Sequence, residues 1–536
     1  MSLPIVAYGS FRGKAHNYAL SVASKYNVKA IPMNDVEISQ ILIAQTVIFI
    51  VSTWGKGVFP ENAASFFAKL QKSDEDFSNV NFTVLGLGSS KHKLYDQAGR
   101  DLFKEMESKK AKPLFSIYEV DARAADHGES EFVKWFRELE SHLPLPKTAT
   151  QITSSFTITE SSENYQIVPP NNFQYAHILD SQILTGEDVR PIAHEYVMQL
   201  PDSIEAKAGD HIDILPRNDP EVVSKVISQL CLNGDAVYEI KGESLIPRLV
   251  SIRELFDQYI DLNGLPTQFM INSFRQYADE EGKAKLELLH NPDILFPYLQ
   301  NTSVADFIEE YAQYGVPPLD ILISCCPHTV PRTYSVASLP SPENRIKLIT
   351  HDLEFGNNRH GLCTNYLSKV NSTSPVSVSF VKGIYKAEAD VPMILFGVGV
   401  GVAPLLSVIE DRKSRGFKSP TFLLFGFRHE NYIRPLTKIL EGLKSEGSLT
   451  DIFYAFSRDH GTEKKYYITD ALVDNKDVVW EAWKDPSAAV YYCGPAKGIP
   501  ERLKDVLEQI IIEKTGVDAG AAAKTCKQHT WFVESF

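Results

Sequence analysis

Over the first 145 residues, short apolar runs alternate with amphipathic stretches. Ile5–Tyr8, Thr46–Ser52 and Phe82–Gly86 are apolar runs of strand length, each ending in a turn rich in Ser, Gly or Thr. Asn17–Tyr26, Asn62–Lys69 and Gln97–Ser108 space their apolar residues helically. The alternation of these two periods predicts a parallel, doubly wound sheet with ligands held at strand C-termini. Residues 146–170 are polar and aperiodic (Pro146, Thr148, Thr150, Thr153, Ser154, Ser155, Ser161) and read as a linker. From about 172 the texture changes. His177–Ser181, Ile192–Leu200 and His211–Leu215 predict antiparallel strands, with Gly209-Asp210 as a turn. Residues 218–320 are helix-rich, and strand texture returns at Tyr334–Ala337, Ile346–His351 and Val376–Val381. The last stretch has βαβ rhythm again. The expected architecture is α/β and multidomain: a domain at 1–145, a linker at 146–170, a barrel from 171–217 and 321–384, a helical insertion at 218–320, and a second α/β domain at 385–536.

Composition narrows the class. A chain of 536 residues exceeds one ordinary core. Its 54 Lys+Arg against 68 Asp+Glu give a net charge of −14, which argues against general binding to nucleic acid or anionic membrane. Residues 1–145 hold 17 basic and 17 acidic side chains, so the excess lies beyond them. The 6 cysteines show neither CxxC pairs nor zinc-type spacing, which predicts no disulfide framework, no metal site and a reducing compartment. The chain enters a strand at Leu3–Tyr8, without a signal peptide or a long apolar run, so a cytosolic protein is expected.

The candidate chemistry is clearest in the last third. Met393–Phe396 is a buried-strand run, followed by Gly397-Val398-Gly399-Val400-Gly401-Val402-Ala403-Pro404 and a helix. Glycines admit a pyrophosphate to the backbone, and the helix N-terminus supplies free N–H groups. Two further strands end in Gly426-Phe427-Arg428 and Ser457-Arg458, and Lys465 and Tyr467 follow. Such donors suit a 2′-phosphate and favour NADPH over NADH. Tyr491-Tyr492-Cys493-Gly494-Pro495-Ala496 is another strand end, where Cys493 would face the nicotinamide ring or serve as a buried structural thiol.

In the middle, Arg332-Thr333-Tyr334-Ser335 lies on a strand and Gly361-Leu362-Cys363-Thr364 opens a helix. Arg332 can pair with a flavin pyrophosphate, Tyr334 can stack on a ring, and Ser335 can reach the flavin N5 edge; Gly361 and Thr364 offer a second anion site. In the first domain three strand-end loops stand in order: Ser10-Phe11-Arg12-Gly13-Lys14-Ala15, Ser52-Thr53-Trp54-Gly55, and Leu87-Gly88 through His92 to Tyr95 and Asp96. Such loops cradle a phosphate with hydroxyls and backbone N–H groups.

Taken in order, these motifs resemble the diflavin reductases. The resemblance implies a flavodoxin-like FMN domain, an antiparallel FAD-binding barrel with a helical connecting insertion, and a ferredoxin–NADP-reductase-like NADPH domain. It implies FMN contacts from the three loops and Asp121. It implies FAD contacts from Arg332–Ser335, Gly361–Thr364 and Trp531, and NADP contacts from Gly399, Val400, Gly401, Arg428, Ser457, Arg458, Lys465, Tyr467, Thr469 and Cys493. Ser335, Cys493 and Trp531 match the hydride-transfer set, in which the resemblance implies a terminal aromatic that stacks on the FAD ring and swings away for nicotinamide. Its acid, expected two residues before the aromatic, falls on His529, with Glu534 as a substitute. Arg12, Lys14 and His92 depart from the pattern: the family prefers Thr at the first two and a ring-stacking Tyr at the third. No Arg-Arg pair precedes the last insertion helix; Asn301-Thr302 stands there. Asp188-Val189-Arg190, Gly361–Leu367, Pro392–Val408 and 496–500 look most like the cytosolic NADPH-dependent diflavin oxidoreductases. That likeness implies an anamorsin-type Fe–S acceptor in cytosolic iron–sulfur assembly. Two alternatives stay open: reduction of a haem protein or a sulfite-reductase role, and a docking factor with a degenerate FMN site.

Overall fold

The computed structural model describes residues 3–11, 13–55, 57–90, 94–124, 126–145, 154, 156–163, 165–186, 189–242, 245–355, 359–386, 389–459, 465–495 and 498–535. The chain divides into two compact units, Met1–Val168 with Arg217–Val330, and Pro169–Pro216 with Pro331–Phe536.

The first unit is built on a parallel sheet in the order Ala30–Pro32, Ile5–Gly9, Thr46–Ser52, Asn81–Gly88 and Lys112–Pro113, with Tyr118–Asp121 also paired to Asn81–Gly88. Val47 through Val51 are fully buried, as expected of a parallel strand covered on both faces. Phe66 and Leu70 of the helix Glu61–Lys72, and Leu102 and Met106 of Gln97–Ser108, pack on one face. Each such side chain contributes roughly 1.5–3 kcal/mol by leaving water. The first helix begins at Lys14, three residues before the apolar period predicts. The rest of the unit is the insertion, whose helices include Pro220–Gln229, Gln268–Tyr277, Pro292–Asn301 and Val304–Tyr311. Part of the predicted linker is a strand: Thr157–Ser161 pairs antiparallel with Val237–Lys241. Its sequence, Thr-Ile-Thr-Glu-Ser, is polar and mostly exposed, so it carries almost no apolar alternation to read.

The second unit opens with a six-stranded antiparallel sheet in the order Arg332–Ser335, His211–Leu215, Val376–Val381, Gln174–Ile183, Ala193–Gln199 and Arg345–His351. An antiparallel bridge between Val336 and Leu348 joins its two ends and closes a barrel. Inward-facing Ile212, Ile214, Met198, Leu348 and Val378 fill it. A five-stranded parallel sheet follows in the order Asp451–Phe456, Thr421–Phe427, Met393–Val398, Ala489–Gly494 and Thr530–Ser535. The last strand lies where a swinging tail was expected. It pairs with Ala489–Gly494, placing Trp531 beside Val490 and Glu534 beside Cys493. Side chains alternate across a strand: Val490 and Tyr492 face one core, Tyr491 and Cys493 the other. That alternation decides which C-terminal side chains reach the barrel.

Candidate active site

A cleft of about 770 Å³ opens above the parallel sheet of the second unit. Val398, Gly399 and Val400 line it at the turn Gly399–Val402, between the strand Met393–Val398 and the helix Ala403–Ser414. Two glycines there act differently. Gly399 has φ +60° and open space where a side chain would project. At Gly401 an added Cβ would lie 2.3 Å from the carbonyl oxygen of Cys493, so only glycine permits this approach. Val400, Arg428, Ser457, Lys465, Tyr467 and Thr469 line the cleft, together with Arg190 and Arg502. Four cations around one cleft suit a ligand with several phosphates. Arg458 is exposed and lies outside the lining; its backbone N–H donates to the Arg428 carbonyl. Arg502, on the first turn of Ile499–Thr515, and His351 were not singled out from the sequence. Nothing in their local patterns separates them from a solvated helix face and a barrel strand. Burial holds the His351 imidazole below its usual value.

Behind the glycine turn, four strands bring five side chains together. Ser335 is the cross-strand partner of His211. His211 Nε2 lies 3.2 Å from Glu534 Oε2, and the Tyr491 hydroxyl donates to Glu534 Oε1 at 2.7 Å. Glu534 is in turn the strand neighbour of Cys493. His211 and Glu534 side chains are only 17% and 12% exposed, so solvent screens the pair weakly. Burial, then the Glu534 charge, pushes the Cys493 thiol far up, keeping it neutral.

Trp531 is not part of this cluster. It faces the opposite side of the sheet, with its Nε1 donating to Cys526 O at 3.2 Å, its ring edge-on to Trp483, and Lys504 Nζ 4.8 Å from its centroid. His529 is buried, stacks on Trp483 at 3.7 Å and binds two carbonyls. The position two residues beyond Glu534 is Phe536, which lies outside the described residues.

A flavin pyrophosphate fits beside the barrel. The helix Leu362–Lys369 begins at Gly361 without a side-chain cap, which leaves its first-turn amides for an anion. Thr364 Oγ1 donates to the Gly361 carbonyl, and Arg332 pairs across the sheet with Ile214. Thr333 bonds to Asp213 and is exposed. Tyr334 packs beside the barrel core and donates to Cys363, whose thiol burial pushes up to about 11.

The first unit carries a phosphate cradle. Gly13, with φ +85°, opens the helix Lys14–Tyr26 with no side-chain cap, and Ala15 is buried on its first turn. Ser10 Oγ and Ser89 Oγ are buried without partners, which fits hydroxyls awaiting an anion. Other expected contacts hold the loops instead. Ser52 Oγ donates to Gly9 O, Thr53 Oγ1 accepts from Ala98 N, and Asp121 accepts from Ser90 N and Arg123 N. Phe11 and Trp54 stack with centroids 3.4 Å apart, both partly exposed beside Gly55. Leu87 and Gly88 end the strand Asn81–Gly88, and Tyr95 lies within cation–π range of Arg100. Asp96 turns inward: it is fully buried, its carboxylate pressed on Gly86 and Gly99 with neither oxygen partnered. Burial, then Glu119, raises its pKa to about 8. Lys14 was expected to face the phosphate, but its Nζ lies 3.3 Å from the buried Glu129 carboxylate. A buried carboxylate demands a partner. Arg12 and His92 lie outside the described residues.

A flavodoxin-type cradle, a flavin barrel and a cationic dinucleotide cleft on one chain define a two-flavin electron-transfer enzyme fed by a nicotinamide nucleotide. Residues 6–135 match the flavodoxin family, 168–366 an FAD-binding domain, and 395–500 an oxidoreductase NAD-binding domain. The sulfite reductase [NADPH] flavoprotein alpha-component of Photorhabdus laumondii is 27% identical over 517 residues, covering 94% of this chain and 83% of that one. NADPH oxidoreductase A of Dictyostelium discoideum is 25% identical, covering 97% and 85%. NADPH--cytochrome P450 reductase of the same organism is 25% identical, covering 89% and 79%. The three matched domains, in this order, and these relatives support a diflavin NADPH oxidoreductase with FMN, FAD and NADPH as cofactors. No helix among the described residues is long and apolar enough to cross a membrane.

Proposed function

We propose that this diflavin reductase delivers electrons from NADPH to a one-electron Fe–S protein of the anamorsin type in cytosolic iron–sulfur assembly. The His211–Glu534 contact carries the reductase half, because it ties the strand of Ser335 to the strand of Cys493. When bound, FAD supplies hydride acceptance and FMN supplies one-electron delivery. Arg190, Arg428, Ser457, Lys465, Tyr467 and Arg502 hold the phosphates of the nucleotide. Gly399 leaves room for the nucleotide against the chain's backbone, Gly401 lets the turn pack on the Cys493 carbonyl, and the neutral Cys493 packs near the nicotinamide ring. Ser335 donates at the flavin edge, and His211 with Glu534 orients that strand and holds a proton at His211 Nε2. Arg332 and the Leu362–Lys369 amides anchor the FAD pyrophosphate. The ring-covering role expected of Trp531 passes to Phe536, which restores the acid-x-aromatic spacing as Glu534-Ser535-Phe536.

The acceptor assignment rests on the motif likeness at 188–190, 361–367, 392–408 and 496–500. The names of the relatives favour a second reading, in which the acceptor is a sulfite reductase or haem partner. Steady-state reduction of a [2Fe–2S] protein and of a haem protein by the same preparation separates the two. Faster reduction of the [2Fe–2S] protein at equal concentration supports the first; preference for the haem protein overturns it.

A further inference from the structure

Glu129 opens the helix Glu129–His142 in the first unit and is 3% exposed. Its Oε1 accepts from the Tyr18 hydroxyl at 3.0 Å and lies 3.3 Å from Lys14 Nζ; its Oε2 accepts from the Gln268 backbone N–H at 3.3 Å. Lys14 follows Gly13 of the phosphate loop, and Gln268 is the first residue of the connecting helix Gln268–Tyr277. One buried carboxylate therefore touches both the phosphate loop and a helix of the insertion. The face around it carries several charged groups. Arg137 donates to the His290 carbonyl at 2.7 Å, and a cavity of about 330 Å³ is lined by Lys25, Arg275, Glu140 and Glu287. Charged and polar contacts of this kind are common at interfaces that open.

We propose that Glu129 is a latch shared by the flavin-phosphate loop and the docking face of the connecting helices, so that phosphate binding and docking oppose each other. This rests on the FMN reading of the first module. With Lys14 paired to Glu129, less of the Lys14 charge is available to a phosphate dianion. A bound dianion draws on Lys14 and leaves Glu129 buried with only neutral donors, which weakens its hold on the Gln268 amide. Such a coupling is reciprocal.

Full-length protein depleted of FMN tests the linkage. Flavin affinity is read by fluorescence with FMN and with riboflavin, which lacks the phosphate. Hydrogen exchange is read along Gln268–Tyr277 at saturation with each. In Glu129→Gln, FMN is expected to bind about three- to tenfold more tightly with riboflavin unchanged. In the unsubstituted chain, FMN but not riboflavin is expected to speed exchange of the first-turn amides several-fold. An unchanged FMN-to-riboflavin affinity ratio in the variant overturns the latch. So does equal exchange with the two ligands, a measurement that needs no variant. Failure of the unsubstituted chain to bind either flavin would instead overturn the FMN reading.

Discussion

His211 and Glu534 meet at 3.2 Å although 323 residues separate them, the first on a barrel strand and the second on the edge strand of the nucleotide sheet. The contact draws Ser335 and Cys493 toward one locus. Replacing Glu534 by Gln removes a charge-assisted hydrogen bond worth about 1.5–3 kcal/mol. We expect NADPH-driven flavin reduction to slow about 10- to 100-fold in stopped flow, with NADP⁺ affinity changed less than threefold. An unchanged rate removes Glu534 from the site.

The cleft cations set nucleotide choice. Lys465→Ala or Arg428→Ala is expected to lower kcat/KM for NADPH about 10- to 100-fold while leaving that for NADH within a few fold. Arg458→Ala, at an exposed position outside the cleft, is expected to have the smaller effect. Equal losses with both nucleotides would show that these residues do not read the 2′-phosphate.

Trp531 and Phe536 are separated by a pair of variants. Trp531→Ala removes packing against Trp483 and costs about 1–3 kcal/mol of stability, with nucleotide preference unchanged. Phe536→Ala is expected to leave the melting temperature within a few degrees and to raise activity with NADH. A rise in NADH activity for Trp531→Ala instead would return the ring-covering role to that residue.

Asp96 makes the first module pH-sensitive. Its carboxyl titrates near 3.8 when unfolded and about 8 when folded. The folded state thus holds the proton more tightly. The associated stability is full below about pH 4, declines as pH rises, and is gone above about pH 8. Asp96→Asn keeps the shape without the ionisation. It is expected to stabilise the module by about 2–4 kcal/mol at pH 7 and by little at pH 4. A melting-temperature difference that does not vary with pH contradicts this.

The fold was legible where burial follows a simple period. The strands at Thr46–Ser52, Met393–Val398 and Thr421–Phe427 are apolar throughout because both faces are covered. The short pieces Lys112–Pro113 and Tyr118–Asp121 carry too few residues to show a period, and Thr157–Ser161 is too polar. At the site, glycine turns and strand-end donors are local signals, so Gly399, Lys465, Ser335 and Thr364 could be read directly. His211 could not, because only barrel closure and the final strand bring it to Glu534. The family resemblance, not a local pattern, points to Trp531 as the C-terminal aromatic; strand alternation turns that side chain to one face of the sheet and Glu534 to the other. Lys14 sits in the loop as expected, but a buried carboxylate 115 positions along claims its charge.

The most direct test of a two-flavin relay is the flavin content of the purified, reconstituted chain. Released flavin is predicted to be FAD and FMN in equal amounts, one of each per chain. FAD alone, after reconstitution with excess FMN, would contradict the relay and leave only a single-flavin NADPH reductase.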